Sequence, residues 1–201
     1  MPPTEGGGME ISMKNSISMF LVRMLIETNT ISEEEKCLYM YGIEQGITYI
    51  INWSITIMVG IFFGNLIPTL GFMVMYIPLR SFAGGFHAIT KRRCFYYSNI
   101  LILCCEIIFY FWKYIPASIF GIAFLLGNLI IAFLSPIQSP NKPLVEEEII
   151  QYKSTILKIM IIGWIFIASF AGLKWYLLVV GVVLAFIAEA VLLCIAKIVK
   201  N

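Results

Sequence analysis

Long, continuously apolar runs occur six times along this chain, separated by polar or charged segments. Each run is close to the roughly 17 to 25 residues that an α-helix needs to cross a bilayer. Barrel strands would alternate apolar and polar residues, so the continuous runs favour an all-α integral membrane protein. The second run is the shortest, and its helix could continue through a Gly-Gly pair toward His87. The predicted spans are residues 42–64, 66–82, 95–113, 116–135, 155–173 and 175–197.

The segment before the first span contains two different patterns. Residues 1–10 have no apolar periodicity and resemble an expression tag or a disordered tail, so they are left out of the predicted fold. Residues 11–27 carry apolar side chains at helical spacing, which predicts an amphipathic helix lying on the membrane surface. Ser32 followed by three glutamates is typical of a capping box, and a new helix is expected to start there. Residues 11–201 are therefore predicted to form a single membrane-embedded domain.

The composition agrees with a membrane protein and argues against other classes. Hydrophobic residues make up 60% of the chain and charged residues only 13%, with a mean hydropathy of +0.88. A soluble domain of 201 residues would not be this apolar. The net charge is only +2 and the basic residues follow the membrane topology, so no nucleic-acid partner is indicated.

Positive charge predicts which face of the bundle lies in the cytoplasm. If the N-terminus is cytoplasmic, only Lys113 and Lys174 of the 14 Lys and Arg residues lie outside. The other twelve then lie inside, as the positive-inside rule expects. The loop at 80–94 and the loop at 136–154 consequently face the cytoplasm, where a free thiol stays reduced.

Candidate chemistry is concentrated between the second and third spans. His87 is the only histidine, and it precedes Cys94 by seven positions beside a Gly-Gly pair and a basic cluster. A thiol attacks as the thiolate, and an imidazole or nearby Lys and Arg residues lower a thiol pKa. On a straight helix the two side chains would be about 10 Å apart along the axis, so the helix must break between them. Judged from the spacing alone, a loop histidine and an incidental cysteine are the simpler interpretation.

The remaining cysteines do not suggest a metal site. They have no ligand spacing with the single histidine, and a cysteine inside an apolar span usually serves as a small hydrophobic residue. Neither a metal nor another cofactor is predicted. The remaining cysteines are Cys37, Cys104, Cys105 and Cys194.

Arg80, the Gly84-Gly85 pair, His87 and Cys94 together resemble the signature of the accessory gene regulator B family of bacterial membrane peptidases. The amphipathic N-terminal helix, the number of spans and the loop from Pro136 to Pro143 also fit that family. The resemblance implies a cysteine endopeptidase of the cell membrane that removes the tail of an autoinducer propeptide in Gram-positive quorum sensing. Cys94 would be the nucleophile and His87 the base, and an acyl-thioester would then close into a thiolactone. A homodimer is left open.

Neighbouring residues have several candidate roles under this resemblance. Arg80 could stabilise the oxyanion or bind an acidic substrate tail, or it could simply anchor the end of the second span. A glycine N–H at Gly85 could donate to the oxyanion, and Ser81 could orient the histidine. The basic cluster could fix topology or dock an acidic tail. This cluster consists of Lys91, Arg92 and Arg93.

Two other function classes remain open at this stage. A small transporter could use ionisable groups within the membrane, and Glu44, Glu106 and Glu189 lie in or near the apolar runs. No internal repeat or pair of broken helices supports that reading. A silent scaffold could bind a partner through the polar loop at 135–154, although charge runs such as Glu146 to Glu148 usually stay solvated.

Overall fold

The computed structural model describes residues 11–28, 30–84, 91–137 and 145–200, and every element named in them is a helix. Six of these helices are long and apolar enough to cross a membrane, which confirms the predicted all-α fold with six spans. Two short 3-10 turns, Glu33–Glu35 and Trp112–Tyr114, flank the spans. The helices are α1 (Ile11–Glu27), α2 (Lys36–Phe62), α3 (Leu66–Ala83), α4 (Lys91–Phe111), α5 (Ala117–Leu134), α6 (Glu146–Gly172) and α7 (Tyr176–Lys200).

Three spanning helices begin earlier than their apolar runs. The predicted runs started at residues 42, 95 and 155, whereas α2 starts at Lys36, α4 at Lys91 and α6 at Glu146. Before α2, the carboxylate of Glu35 accepts from the Ser32 N–H at 3.0 Å, which confirms that a helix starts at this capping signature. Before α6, Glu148 accepts from the Val145 N–H at 3.1 Å in the same way. Glutamates therefore support two of these helix starts, from the 3-10 turn Glu33–Glu35 before α2 and from the first turn of α6.

Helix α3 ends before the Gly-Gly pair, so a continuation of this helix toward His87 is wrong. Gly84 has φ +76°, which a right-handed helix cannot accommodate. The carbonyl of Ala83 accepts from the N–H of Ile137 at 3.0 Å, a residue far along the chain. The last turn of α3 is thus stopped by a tertiary contact as well as by its own backbone.

The chain divides into two compact units, and the boundary along the sequence lies between Ser54 and Ile55. In the first unit, α1 buries Ser18 and Val22 and exposes Phe20 and Met24. This confirms an N-terminal helix with an exposed apolar face, and its position on a membrane surface stays a prediction.

Helix α7 is the central element of the second unit, where it packs mainly on α3 and α5. Its close approach to α3 depends on glycine. A Cβ on Gly181 would overlap the carbonyl oxygen of Pro68, and one on Gly71 would lie 2.9 Å from the carbonyl oxygen of Leu178. Small residues let the backbones of membrane helices pack this closely. The core at this contact includes Phe72, Met75, Leu79, Val182, Phe186 and Leu193.

Candidate active site

The exit of α3 is held against the segment that follows α5. Gly84 and Ile137 form an isolated parallel β-bridge, supported by the hydrogen bond from the Ile137 N–H to Ala83. A Cβ on Gly84 would overlap the carbonyl oxygen of Ile137, so only glycine fits at this position. The predicted topology places the loops at 80–94 and 136–154 on one face, and this bridge joins them at Gly84 and Ile137.

Arg80 lies in the last turn of α3 and reaches two groups near this bridge. Its Nη1 donates to the carbonyl of Gly84, and the same nitrogen lies 3.7 Å from Oε1 of Glu189 in α7. The Arg80 side chain is 22% exposed, whereas the Glu189 side chain is 0% exposed. A guanidinium nitrogen that bridges a carbonyl and a carboxylate can fix both groups relative to each other.

Ser81 follows Arg80, but its hydroxyl is used within its own helix. The Ser81 Oγ donates to the carbonyl of Ile77 at 2.8 Å, and the side chain is exposed. A serine hydroxyl has one proton, so Ser81 can meet a histidine only as an acceptor in this arrangement.

The remaining predicted site residues lie at the start of α4 or before it. Cys94 is the fourth residue of this helix, and the basic cluster of residues 91–93 precedes it. The side chains of these four residues lie outside what the structure describes, and so do Gly85 and His87 entirely. The break in the helix that a direct contact between His87 and Cys94 requires therefore stays a prediction.

The carboxyl group of Glu106 is buried between α3 and α4, near the opposite end of α3 from Arg80. It lies 2.6 Å from the Thr69 hydroxyl, and its other oxygen accepts from the Asn65 side-chain amide at 3.1 Å. Thr69 also lies 2.7 Å from the Asn65 carbonyl, so one hydroxyl proton serves two oxygen neighbours. These contacts place both carboxyl oxygens of Glu106 beside polar groups of the protein.

Other described residues add no metal centre. Among these parts of the chain, no group of three His, Cys, Asp or Glu side chains is placed to hold a metal ion. Cys105 is buried in the bundle, whereas Cys37 and Cys104 are exposed.

Sequence reasoning missed two relationships at the site. It left Glu189 without an assigned partner, although Arg80 is the only charged residue of α3 and Glu189 the only acidic residue of α7. Two lone opposite charges in apolar helices are a usable signal for pairing. The contact between Gly84 and Ile137 has no comparable signal, because it depends on how α5 packs.

Comparison with known proteins gives one match. The model of the accessory gene regulator B family matches residues 16–196. No curated protein and no solved structure matches this chain.

Proposed function

This chain belongs to the accessory gene regulator B family, and on that premise we propose that it is a membrane cysteine endopeptidase acting on an autoinducer propeptide. The family takes part in the processing of autoinducers for accessory gene regulator quorum sensing. The observation that carries the proposal is that the family match spans residues 16–196 and so includes both His87 and Cys94.

Cys94 is the proposed nucleophile, and its place in the first turn of α4 supports this role. The unpaired N–H groups at the start of a helix and adjacent basic side chains favour a thiolate. Three basic residues occupy positions 91–93, directly before the cysteine. His87 is proposed to accept the thiol proton.

Cleavage then proceeds through an acyl-enzyme. The Cys94 sulfur attacks the carbonyl carbon that joins the signal portion to its C-terminal tail. The C–N bond breaks, the tail leaves as an amine that takes a proton from His87, and the signal portion remains as a thioester. His87 then accepts the proton of a cysteine thiol of the propeptide, and that sulfur attacks the thioester carbonyl. The new C–S bond closes the thiolactone as the bond to Cys94 breaks, and Cys94 leaves as a thiolate beside the protonated His87. Because one thioester replaces another, ring closure is nearly balanced in bond energy. The thiolactone therefore forms only if water is excluded from the site and does not hydrolyse the acyl-enzyme.

The basic cluster of residues 91–93 is proposed to dock the acidic tail of the propeptide at the cytoplasmic face of the cell membrane. Arg80 is less suited to that docking role, because Glu189 already lies 3.7 Å from its guanidinium. A lone guanidinium would attract an acidic peptide more strongly than one beside a carboxylate.

The test uses cells that express this protein with the autoinducer propeptide of the same strain, tagged on its C-terminal tail. Cys94→Ala is expected to abolish release of the tagged tail while the protein still inserts in the membrane. Cys104→Ala removes an exposed thiol of the same helix and is expected to leave release unchanged. Tail release at the parental rate by Cys94→Ala would overturn the proposed function.

A further inference from the structure

Glu189 is a charged group in an apolar position that the peptidase chemistry does not use. Its side chain is 0% exposed, and within the described residues neither carboxylate oxygen has a hydrogen-bond partner. A buried carboxylate in a spanning helix is costly, and it is commonly retained for a function. The described group that compensates its charge is Arg80, at 3.7 Å.

Arg80 connects Glu189 to the backbone at the end of α3. Its Nη1 carries two N–H groups, and the nitrogen donates to the Gly84 carbonyl while it faces Glu189. Gly84 is also the residue that bridges to Ile137 and that directly follows the end of α3. Glu189, Arg80 and Gly84 therefore form one continuous line of contacts from the centre of α7 to the chain that leads into the site.

We propose that Glu189 is a positioning residue, which holds Arg80 against the Gly84 carbonyl and so fixes the direction in which the chain leaves α3 toward His87 and Cys94. A peptide group is planar, so fixing the Gly84 carbonyl also limits the direction of the chain that follows it. This inference rests on the proposed peptidase function. It gives Arg80 a role within the protein instead of a role on the oxyanion or on an acidic substrate tail.

The experiment is a double-mutant cycle on full-length protein, with cleavage of the tagged propeptide measured per folded molecule. Glu189→Gln and Arg80→Gln are each expected to slow cleavage on the order of 10- to 100-fold, since small displacements of reacting groups have effects of that size. The propeptide concentration for half-maximal rate is expected to stay unchanged. The double variant is expected to be no slower than the slower single variant, because both residues act through the same contacts.

Glu106→Gln is the matched control, because Glu106 is a buried carboxyl group of the same bundle that contacts Thr69 and Asn65 instead of Arg80. It is expected to keep the parental cleavage rate per folded molecule. Parental activity in Glu189→Gln would overturn the proposal. The proposal would also be overturned if the losses of the two single variants multiply in the double variant. A lower half-maximal propeptide concentration in Glu189→Gln would overturn it as well, because it would mean that Glu189 only keeps Arg80 from binding the propeptide.

The proposal can still be tested if Glu189→Gln fails to fold. If Glu189→Gln leaves Arg80 uncompensated and fails to accumulate, the double variant removes both charges and is expected to restore insertion. Slow cleavage by that inserted variant supports the positioning role, and parental cleavage overturns it. Cys94→Ala is measured in the same series, so retained cleavage there would refute the peptidase function separately from the result at Glu189.

Discussion

The N–H of Ile137 donates to the carbonyl of Ala83 at 3.0 Å, and this bond ties the segment after α5 to the residue at which α3 ends. The next residue, Gly84, continues the contact as a β-bridge. Two loops that are separated by helices α4 and α5 in sequence therefore share one fixed point at the candidate active site.

Gly84→Ala is expected to lower both stability and cleavage. The positive φ of 76° costs an alanine about 1 to 2 kcal/mol, and its Cβ would also overlap Ile137. Gly64→Ala is the control, because Gly64 has a similar φ of 71° but no atom close to an added Cβ. Thermal unfolding in detergent and tail release measure both effects. If the two variants behave alike, the contact with Ile137 contributes nothing.

Gly181→Ala is expected to destabilise the bundle by about 1 to 3 kcal/mol, the usual effect of overpacking. The added methyl group would meet the backbone of Pro68 and force α3 away from α7. Gly121→Ala in α5 has open space around the new Cβ and should be neutral or slightly stabilising. Unfolding midpoints of the two variants provide the comparison, and equal midpoints would contradict the close packing of α3 on α7.

Thr69→Val is expected to destabilise the protein by about 1 to 3 kcal/mol, because it leaves a buried carboxyl oxygen of Glu106 without its neighbour. The relevant contact is the 2.6 Å distance between the Thr69 hydroxyl and Oε1 of Glu106. Thr155→Val is the matched control: this exposed hydroxyl donates only to the carbonyl of Gln151 in its own helix. Its effect on the unfolding midpoint should be within about 0.5 kcal/mol of zero. Equal losses would show that the contact with Glu106 is not stabilising.

The helical bundle could be predicted from the sequence because a segment inside the membrane must satisfy its own backbone hydrogen bonds. An apolar run of sufficient length is therefore expected to form a spanning α-helix. The capping signature at Ser32 also predicts the helix start before the first span, and the similar glutamates at 146–148 could have predicted the start of α6. Which helices become neighbours is a different question, since apolar faces fit many partners. The opposite charges of Arg80 and Glu189 in two apolar helices suggest their pairing. The bridge from Gly84 to Ile137 depends on packing, and the residue pattern alone does not specify it.

His87→Ala is expected to slow alkylation of Cys94 near neutral pH and to abolish cleavage without blocking propeptide binding. Without the imidazole, the pKa of the thiol should move back toward about 8.5. The rate is measured against pH in a protein whose other four cysteines have been replaced. A variant with residues 91–93 neutralised separates the effect of the basic cluster from that of the histidine. An unchanged alkylation profile together with normal cleavage would remove His87 from the mechanism.

The central claim is that Cys94 carries the signal portion as a thioester, and the mass of the trapped enzyme tests it most directly. A propeptide whose ring-forming cysteine is replaced by alanine cannot close the ring, so the acyl-enzyme should accumulate. Mass spectrometry of the digested protein is expected to find the signal portion attached to Cys94 and released by neutral hydroxylamine, with no adduct in Cys94→Ala. Release of the tail without an adduct on Cys94, or with an adduct on another residue, would contradict the account.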